Sequence, residues 1–445
     1  MNSTTANNNT SVGSGSLQTN TTGSQNTAVG ALVLDASTTA DYNTSMGYAA
    51  GSALTTGAYN TILGGSALAT ATTATNNVAV GYNAMNLTTT GAENVAIGFA
   101  ALDANTTGGQ NTAIGNNALT NSTTAGSNVA VGNLSLERNT TGLYNTAVGF
   151  SAARYFVTSY NTAFGHEALR GVDGQSTGGN NTAIGMIALR DNTTGSDNTA
   201  VGIAASRDNT TGIRNVSVGV AALESNETGS NNVGIGYRAL YISTTSNNVA
   251  VGDQTLKANT SGLQNVAVGA SALDNNSTGS YNTGLGTDAL GSLTTGSFNT
   301  VIGRQAGNSC TTADNTVAIG AGAMSNNTCT GTRNTAIGSG TAAHITSGAD
   351  NTAVGSLALH YNTSAGYNTA VGKSALQENT TGIKGTAVGF QAGYSNTTGA
   401  SNTSVGYQAL YSNQTYANNT AVGKSALNAA TNSSNTAVGS DAMEK

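Results

Sequence analysis

The residues that could do chemistry are few in this chain and form no catalytic pattern. Three histidines, His166, His344 and His360, are scattered without metal-ligand spacing, and residue order gives no Ser-His-Asp arrangement. The turns carry Thr where calcium-binding rolls need carboxylates, so the sequence predicts no metal site and no cofactor. We therefore expect a structural or binding protein and not an enzyme.

The two cysteines, Cys310 and Cys329, stand in successive sequence repeats at nearly the same phase. A disulfide between adjacent coils is geometrically open to them and would suit an oxidising extracellular setting. A pair of buried or free thiols is the alternative interpretation.

Four arginines lie five residues after the glycine of four consecutive repeats: Arg154, Arg170, Arg190 and Arg207. Like charges stacked at strand spacing repel each other, so they need neighbouring acids such as Asp191 and Asp208, or an anionic ligand. The same stretch contains a 20-residue repeat with an irregular loop at residues 171–174. The sequence leaves open a solvated surface and an anionic-ligand ladder.

Many turns carry the pattern Asn-x-Thr/Ser, which is the acceptor for N-linked glycans in a eukaryotic secreted protein. The alternative is that a chain rich in Asn and Thr forms such triplets by chance and by turn preference. Tyrosines such as Tyr59 and Tyr144 are candidates for stacking on sugars, or are plain exposed turn residues. The candidate glycan acceptors are Asn20, Asn105, Asn121, Asn139, Asn192, Asn209, Asn226, Asn259, Asn276, Asn362, Asn379, Asn396 and Asn413.

The element that must position these residues is a short tandem repeat. A glycine preceded by an aliphatic or aromatic residue recurs 26 times from Gly13 to Gly439, and 20 of the 25 intervals are 17 residues long. A period this short is typical of a solenoid, in which each coil packs only on its neighbours. Helical repeats need about 33 residues or more, so we predict a parallel β-solenoid of about 26 stacked 17-residue coils.

We number each repeat from its glycine and predict the interior from the residue types that recur at each position. Position −1 is Val, Ile, Leu, Met or Phe in every repeat, and position +4 is Leu or Met in 20, so we expect these two positions to form the core. Strand alternation places the Thr or Val at −3 on the same face as −1 and turns the small residue at −2 the other way, against a close packing partner. Position −4 is Asn in 24 repeats, which predicts a stacked Asn ladder. The Asn-Thr-Thr-Gly segments predict turns, because Asn and Gly tolerate left-handed dihedrals.

Composition narrows the possible partners. Only 8% of the 445 residues are charged, the net charge is −6, and there is no basic run, which argues against nucleic acid. No apolar stretch of 18 residues exists, so we expect no membrane insertion by this segment. The repeat runs nearly from end to end, and we expect a single elongated domain over residues 1–445.

The units at 26–30 (Asn-Thr-Ala-Val-Gly) and 94–98 (Asn-Val-Ala-Ile-Gly) resemble the head repeats of trimeric autotransporter adhesins, and similar arrays occur in phage and viral tail fibres. The resemblance covers essentially the whole chain, although a 17-residue period is somewhat longer than usual for the adhesin heads. It implies a left-handed parallel β-roll, a homotrimer in which the small residue at −2 approaches a neighbouring chain, and a location outside the cell or on a cell or virion surface.

The expected function is therefore a structural extracellular fibre, the head or shaft of an adhesin, that presents a repetitive surface for multivalent attachment. Surface glycans or matrix proteins are the expected ligands, and no capping segment is recognisable, which leaves flanking domains or end-to-end stacking into a filament as expectations. The alternatives are a viral or phage tail-fibre shaft, a glycosylated self-assembling filament, and an ice-binding protein. Ice binding is the least expected of these, because the Thr column is placed on the half-buried face.

Overall fold

The computed structural model describes residues 5–443, and over that range the protein is all-β, a parallel solenoid of 26 strands with about 17 residues per coil and no helix. The predicted fold class is thereby confirmed. Two compact units, Met1–Thr228 and Gly229–Lys445, contain 13 strands each. The single domain stays a prediction. Within the described residues there is no helix with the length and apolarity to cross a membrane.

Every strand has three residues and ends at the residue before a repeat glycine. The strands of the first unit are β1 Thr10–Val12, β2 Thr27–Val29, β3 Thr44–Met46, β4 Thr61–Leu63, β5 Val78–Val80, β6 Val95–Ile97, β7 Thr112–Ile114, β8 Val129–Val131, β9 Thr146–Val148, β10 Thr162–Phe164, β11 Thr182–Ile184, β12 Thr199–Val201 and β13 Val216–Val218. The strands of the second unit are β14 Val233–Ile235, β15 Val249–Val251, β16 Val266–Val268, β17 Thr283–Leu285, β18 Thr300–Ile302, β19 Val317–Ile319, β20 Thr335–Ile337, β21 Thr352–Val354, β22 Thr369–Val371, β23 Thr386–Val388, β24 Thr403–Val405, β25 Thr420–Val422 and β26 Thr436–Val438.

Within each unit, consecutive strands pair in parallel with no register shift. Strands β6 and β7, for example, pair Val95 with Thr112, Ala96 with Ala113 and Ile97 with Ile114. The 20-residue repeat keeps this register, since Thr162 pairs with Thr182. Equivalent positions of successive repeats therefore stack in columns, so that a repeat position corresponds to one line of side chains along each unit.

The repeat glycine is required by backbone conformation and by close approach. All 26 have φ between +126° and +146°, a region that side chains of L-residues rarely adopt. A Cβ added to Gly98 would lie 2.4 Å from the carbonyl oxygen of Gly115 in the next coil. The chain bends there into a run of turns in which the residues at +2 and +4, such as Ala100 and Leu102, have positive φ.

The apolar interior behind the strands is formed by positions −2, +3 and +4. The Leu or Met at +4 is buried as expected, with Leu102 and Leu119 fully inaccessible. The assignment of position −1 to the core is wrong: Ile97 is 38% exposed and Phe164 is 56% exposed, whereas the small residue at −2, such as Ala96, is 0% exposed. The shared face of −3 and −1 is confirmed, but that face points outwards.

The reason for the reversal is the narrow cross-section of the coil. The side chain at +4 already fills the space behind the strand, which leaves room only for a small residue at −2. Where the strand carries Ile62 at −2, position +4 of the preceding repeat is Gly51, and a Cβ there would lie 2.8 Å from the Ile62 Cδ1. Val301 is matched by a glycine at +4 of its own repeat, Gly307, where a Cβ would lie 3.5 Å from the Val301 Cγ1. The interior volume is thus shared between the two positions.

The predicted Asn ladder at −4 is present and buried. Asn111 donates its backbone N–H to the Oδ1 of Asn94 (2.9 Å), and its Nδ2 donates to the same oxygen (3.1 Å) and to the carbonyl oxygen of Ala125 (2.9 Å). Each amide therefore links coils on both sides. Such a column satisfies polar backbone groups at a corner that water does not reach.

The Asn-Thr-Thr-Gly segments form turns, but not for the expected reason. Neither Asn105 nor Gly108 has positive φ. Gly108 is confined instead by packing, because a Cβ there would lie 2.1 Å from the carbonyl oxygen of Ala125. The first Thr of the turn, Thr106, donates its Oγ1 hydroxyl to the carbonyl oxygen of Thr123 in the next coil (3.0 Å).

Candidate functional site

The most distinctive surface is the outward side of the strands, which we call the strand face and define as the side chains at −3 and −1 of each strand. All of them are Thr, Val or a larger apolar residue, and none is charged. The middle residue between them is turned inwards and is buried in 25 strands. Each unit therefore carries an uncharged outer face along 13 stacked strands.

Two aromatic columns flank the strand face. At position +1 the ring pairs Tyr82–Phe99 and Phe390–Tyr407 stack with centroids 5.9 and 5.4 Å apart. At position −5 the pairs Tyr42–Tyr59, Tyr144–Tyr160 and Tyr281–Phe298 stack with centroids 4.9–5.3 Å apart. The +1 column is a feature that our sequence reasoning missed, and its signal was the Tyr or Phe that directly follows several repeat glycines.

Large apolar side chains that remain exposed are concentrated on this side of the coils. Among the described residues 41 such side chains are exposed, and 33 of them lie at −5, −3, −1 or +1. A soluble monomer rarely exposes a contiguous apolar patch beyond a few hundred Å². The eight others are Leu32, Leu87, Leu143, Leu263, Tyr361, Ile383, Tyr416 and Met443.

Twelve of the thirteen candidate glycan acceptors lie inside the coils, in a second Asn column at position +7, whereas Asn121 lies at +6. Asn105 and Asn139 each donate Nδ2 to the carbonyl oxygen of the turn glycine three residues on (3.0 Å), and Asn396 donates to the Oδ1 of Asn379 (2.8 Å). Twelve of the thirteen are 0–3% exposed, and Asn121 is half-buried. Because the Nδ2 atom of these residues is buried and forms these hydrogen bonds, the residues have a structural role. Their glycosylation stays a prediction, and it requires a glycan to be attached before the coils fold.

The four arginines do stack, and carboxylates accompany each of them. Arg190 and Arg207 form bidentate hydrogen bonds with Asp191 and Asp208, at 2.7–2.8 Å and 2.6–2.8 Å. These hydrogen bonds raise the pKa of both guanidinium groups further above their usual range. The remaining ion pairs of the column are Arg154–Glu137, Arg170–Glu167, Arg170–Asp191 and Arg207–Glu224.

Acids on the same and on neighbouring coils thus supply the counter-charge that stacked arginines require. Of the two alternatives left by the sequence, the ion pairs support the solvated, self-neutralised surface. Because the pairs are partly exposed, each contributes little to stability, about 0–1 kcal/mol. An anionic ligand at this ladder stays a prediction.

Cys310 and Cys329 are brought together. They are partners in a parallel β-bridge between adjacent coils, both are buried, and both are free thiols in this structure. Two of the histidines, His344 and His360, meet edge to face with centroids 5.0 Å apart, while His166 stacks on Phe150. The described residues hold no group of three or more His, Cys, Asp or Glu suited to a metal ion.

Comparison with protein-family models and with curated protein sequences gives no match for this chain. The likeness to adhesin heads and tail fibres accordingly rests on the repeat motif alone.

Proposed function

We propose that the chain is a structural extracellular fibre segment of the adhesin or tail-fibre type, which associates with further copies of itself through the strand face. The observation that carries the proposal is the uncharged, largely apolar outer side of every strand. Thirteen strands at about 4.8 Å and a width of three residues, about 10 Å, give a strand face of roughly 600 Å² in each unit, to which the flanking aromatic columns add. One partner buries about 800 Å² in a standard protein interface, so the strand face with its flanks is of interface size.

A second copy of the chain suits this face better than an unrelated partner. The face repeats at every strand, and a partner stays in step along 13 strands only if it has the same axial repeat. A second copy of the chain has the same axial repeat because it has the same sequence and fold. Three copies are proposed from the adhesin resemblance, whereas the apolar face by itself supports association without fixing the number.

Attachment is then assigned to the surface that association leaves free. In most turns the second Thr, such as Thr107 or Thr124, is exposed and lies in a stacked column. A multimer would present several such columns, and many weak contacts with surface glycans or matrix proteins would add up. An extracellular or virion-surface location and end-to-end filament growth belong to the same proposal.

The oligomeric state tests the proposal. In sedimentation equilibrium at micromolar concentration we expect the mass of a trimer. Replacing Ile97 and Ile114 by Lys on two neighbouring strands places unpaired charges in the interface and should give monomers with an unchanged circular dichroism spectrum. The matched control replaces the exposed Thr107 and Thr124 of the same coils by Lys and should remain trimeric. A monomeric wild-type chain, or equal behaviour of the two variants, would contradict self-association through this face.

Ice binding is a second candidate, because one observation favours it. The Thr column expected on a core face lies on the outward strand face, and it is unbroken over the seven strands from β20 to β26. Neighbouring hydroxyls are about 4.8 Å apart along the column. Thermal hysteresis of the wild-type chain tests it, and freezing-point depression that grows only with solute concentration would rule it out.

A further inference from the structure

The cysteine pair occupies an interior column of the second unit. Cys310 stands at position +7, the position of the second Asn column, between Leu293 and Ile345 at the same position of other repeats. All three of these side chains and that of Cys329 are buried. The second Asn column is thus interrupted here by an apolar segment that contains two thiols.

The backbone places the two cysteines within disulfide reach. Bridge partners on neighbouring parallel segments are separated by about 4.8 Å, which lies inside the usual Cα–Cα range of about 4.4–6.8 Å for a disulfide. From this juxtaposition we propose that Cys310 and Cys329 are joined by a disulfide that forms as the coils close, and that covalently links two successive coils. The proposal is independent of the proposed function.

Oxidation of the pair needs an external disulfide and proceeds by two thiol–disulfide exchanges. While the coils are still open, the thiolate of one cysteine attacks a sulfur of an external disulfide, such as oxidised glutathione, forms a mixed disulfide and expels one glutathione thiolate.

The second step completes the bond. The other cysteine gives up its proton to solvent and attacks the protein sulfur of the mixed disulfide, which expels the second glutathione thiolate. Two protein thiols are oxidised by two electrons, and one glutathione disulfide is reduced to two thiols. Because both sulfurs are 0–1% exposed once the coils are closed, we place the exchange during folding and expect the finished bond to resist reductants.

Peptide mapping tests the proposal directly. The full chain is refolded from denaturant in a mixture of reduced and oxidised glutathione, then denatured in iodoacetamide without reductant. No Lys or Arg lies between Arg304 and Arg333, so trypsin yields one peptide, 305–333, that contains both cysteines. Cyanogen bromide cuts this peptide after Met324 and separates Cys310 from Cys329.

The expected result is that neither cysteine is alkylated, that the peptide is about 2 Da lighter than its dithiol form, and that the two fragments separate only after reduction. A Cys329→Ser variant is the matched control, and its Cys310 should be alkylated. The same digest of chain secreted into an oxidising bacterial periplasm removes any dependence on refolding in vitro. Two alkylated cysteines in the wild-type chain, or a cross-link between two chains, would overturn the proposal.

Discussion

The Asn ladder at position −4 offers the most direct test of how the coils are held together, through the single substitution Asn111→Ala. The Nδ2 of Asn111 donates to the carbonyl oxygen of Ala125 (2.9 Å), and its Oδ1 accepts from the backbone N–H of Asn128 (3.1 Å) and from the Nδ2 of Asn128 (3.2 Å). The substitution removes these three contacts and also the bond from the Asn111 Nδ2 to the Asn94 Oδ1 (3.1 Å). It leaves the bond from the Asn111 backbone N–H to Asn94, which does not depend on the side chain.

The expected loss follows from which groups lose these bonds. The Nδ2 of Asn128 keeps a bond to the carbonyl oxygen of Gly142 (2.9 Å), so the main losses are two buried backbone groups, the Ala125 carbonyl and the Asn128 N–H. A buried polar group that loses its partner costs about 1–3 kcal/mol. Water entering the small cavity would recover part of that cost, and we expect a local destabilisation of about 3 kcal/mol.

Hydrogen exchange measured by mass spectrometry reads this effect locally, which is necessary because a long repeat array does not unfold in two states. A change of about 3 kcal/mol corresponds to roughly a hundredfold faster exchange in the coils around residue 111. The control is Asn116→Ala in the same repeat, the same chemical change at an exposed position. Equal exchange in the two variants would show that the ladder adds nothing to coil stability.

Three further outcomes follow from packing and charge. Gly51→Leu should overpack the interior and destabilise the protein by about 1–3 kcal/mol, which lowers the melting temperature. Adding Ile62→Ala should restore the melting temperature. A double-mutant cycle without coupling between the two positions would count against shared interior volume. Gly98→Ala should destabilise the protein by more than the roughly 1–3 kcal/mol of backbone strain, because the added Cβ also meets a carbonyl oxygen at 2.4 Å. Gly174→Ala is the comparison: its Cβ meets no atom within 4 Å, so this variant should show the cost of strain alone. Thermal melts of both variants measure the difference. Partial burial, and then the nearby imidazole of His360, lower the pKa of His344 below 6.5. Folding therefore favours the neutral form of His344, and local stability should fall as the pH drops through 6.5. An NMR titration midpoint of His344 above 6.5 would contradict this.

The fold was predictable because the same residue types recur at a short and nearly constant spacing. An invariant glycine, a −4 Asn and a +4 Leu at a fixed spacing leave only a short parallel strand and a turn in each coil. The choice between the two strand faces was not predictable from alternation, since alternation separates the faces without saying which one is inside. The coil interior decides it: Leu273 at +4 fills the space behind the strand with Gly284 at −2, where a Cβ would already lie 3.3 Å from the Leu273 Cδ1.

A signal for the correct face was nevertheless present in the repeats. Position −1 varies from Val to Phe, as a free surface allows, while −2 stays small and becomes large only where +4 loses its side chain, as in the pair Ile62 and Gly51. The same comparison marks the turn Asn as an interior residue. At position +7 of other repeats stand Phe156 and Leu293, which no exposed glycan acceptor column would contain.

Self-association and ice binding place different demands on the one strand face. Adsorption to ice needs regularly spaced hydroxyls, and strands β5, β6 and β8 carry Val at −3 and Val or Ile at −1, with no hydroxyl on the face at all. Burial against another copy needs only an uncharged face that tolerates side chains of different size. Every strand in both units meets that second requirement, including those with Met46 and Phe164 at −1, which would disturb a regular ice-binding lattice. The Thr-rich strands satisfy both demands, so it is the hydroxyl-free strands that favour association as the role of the face.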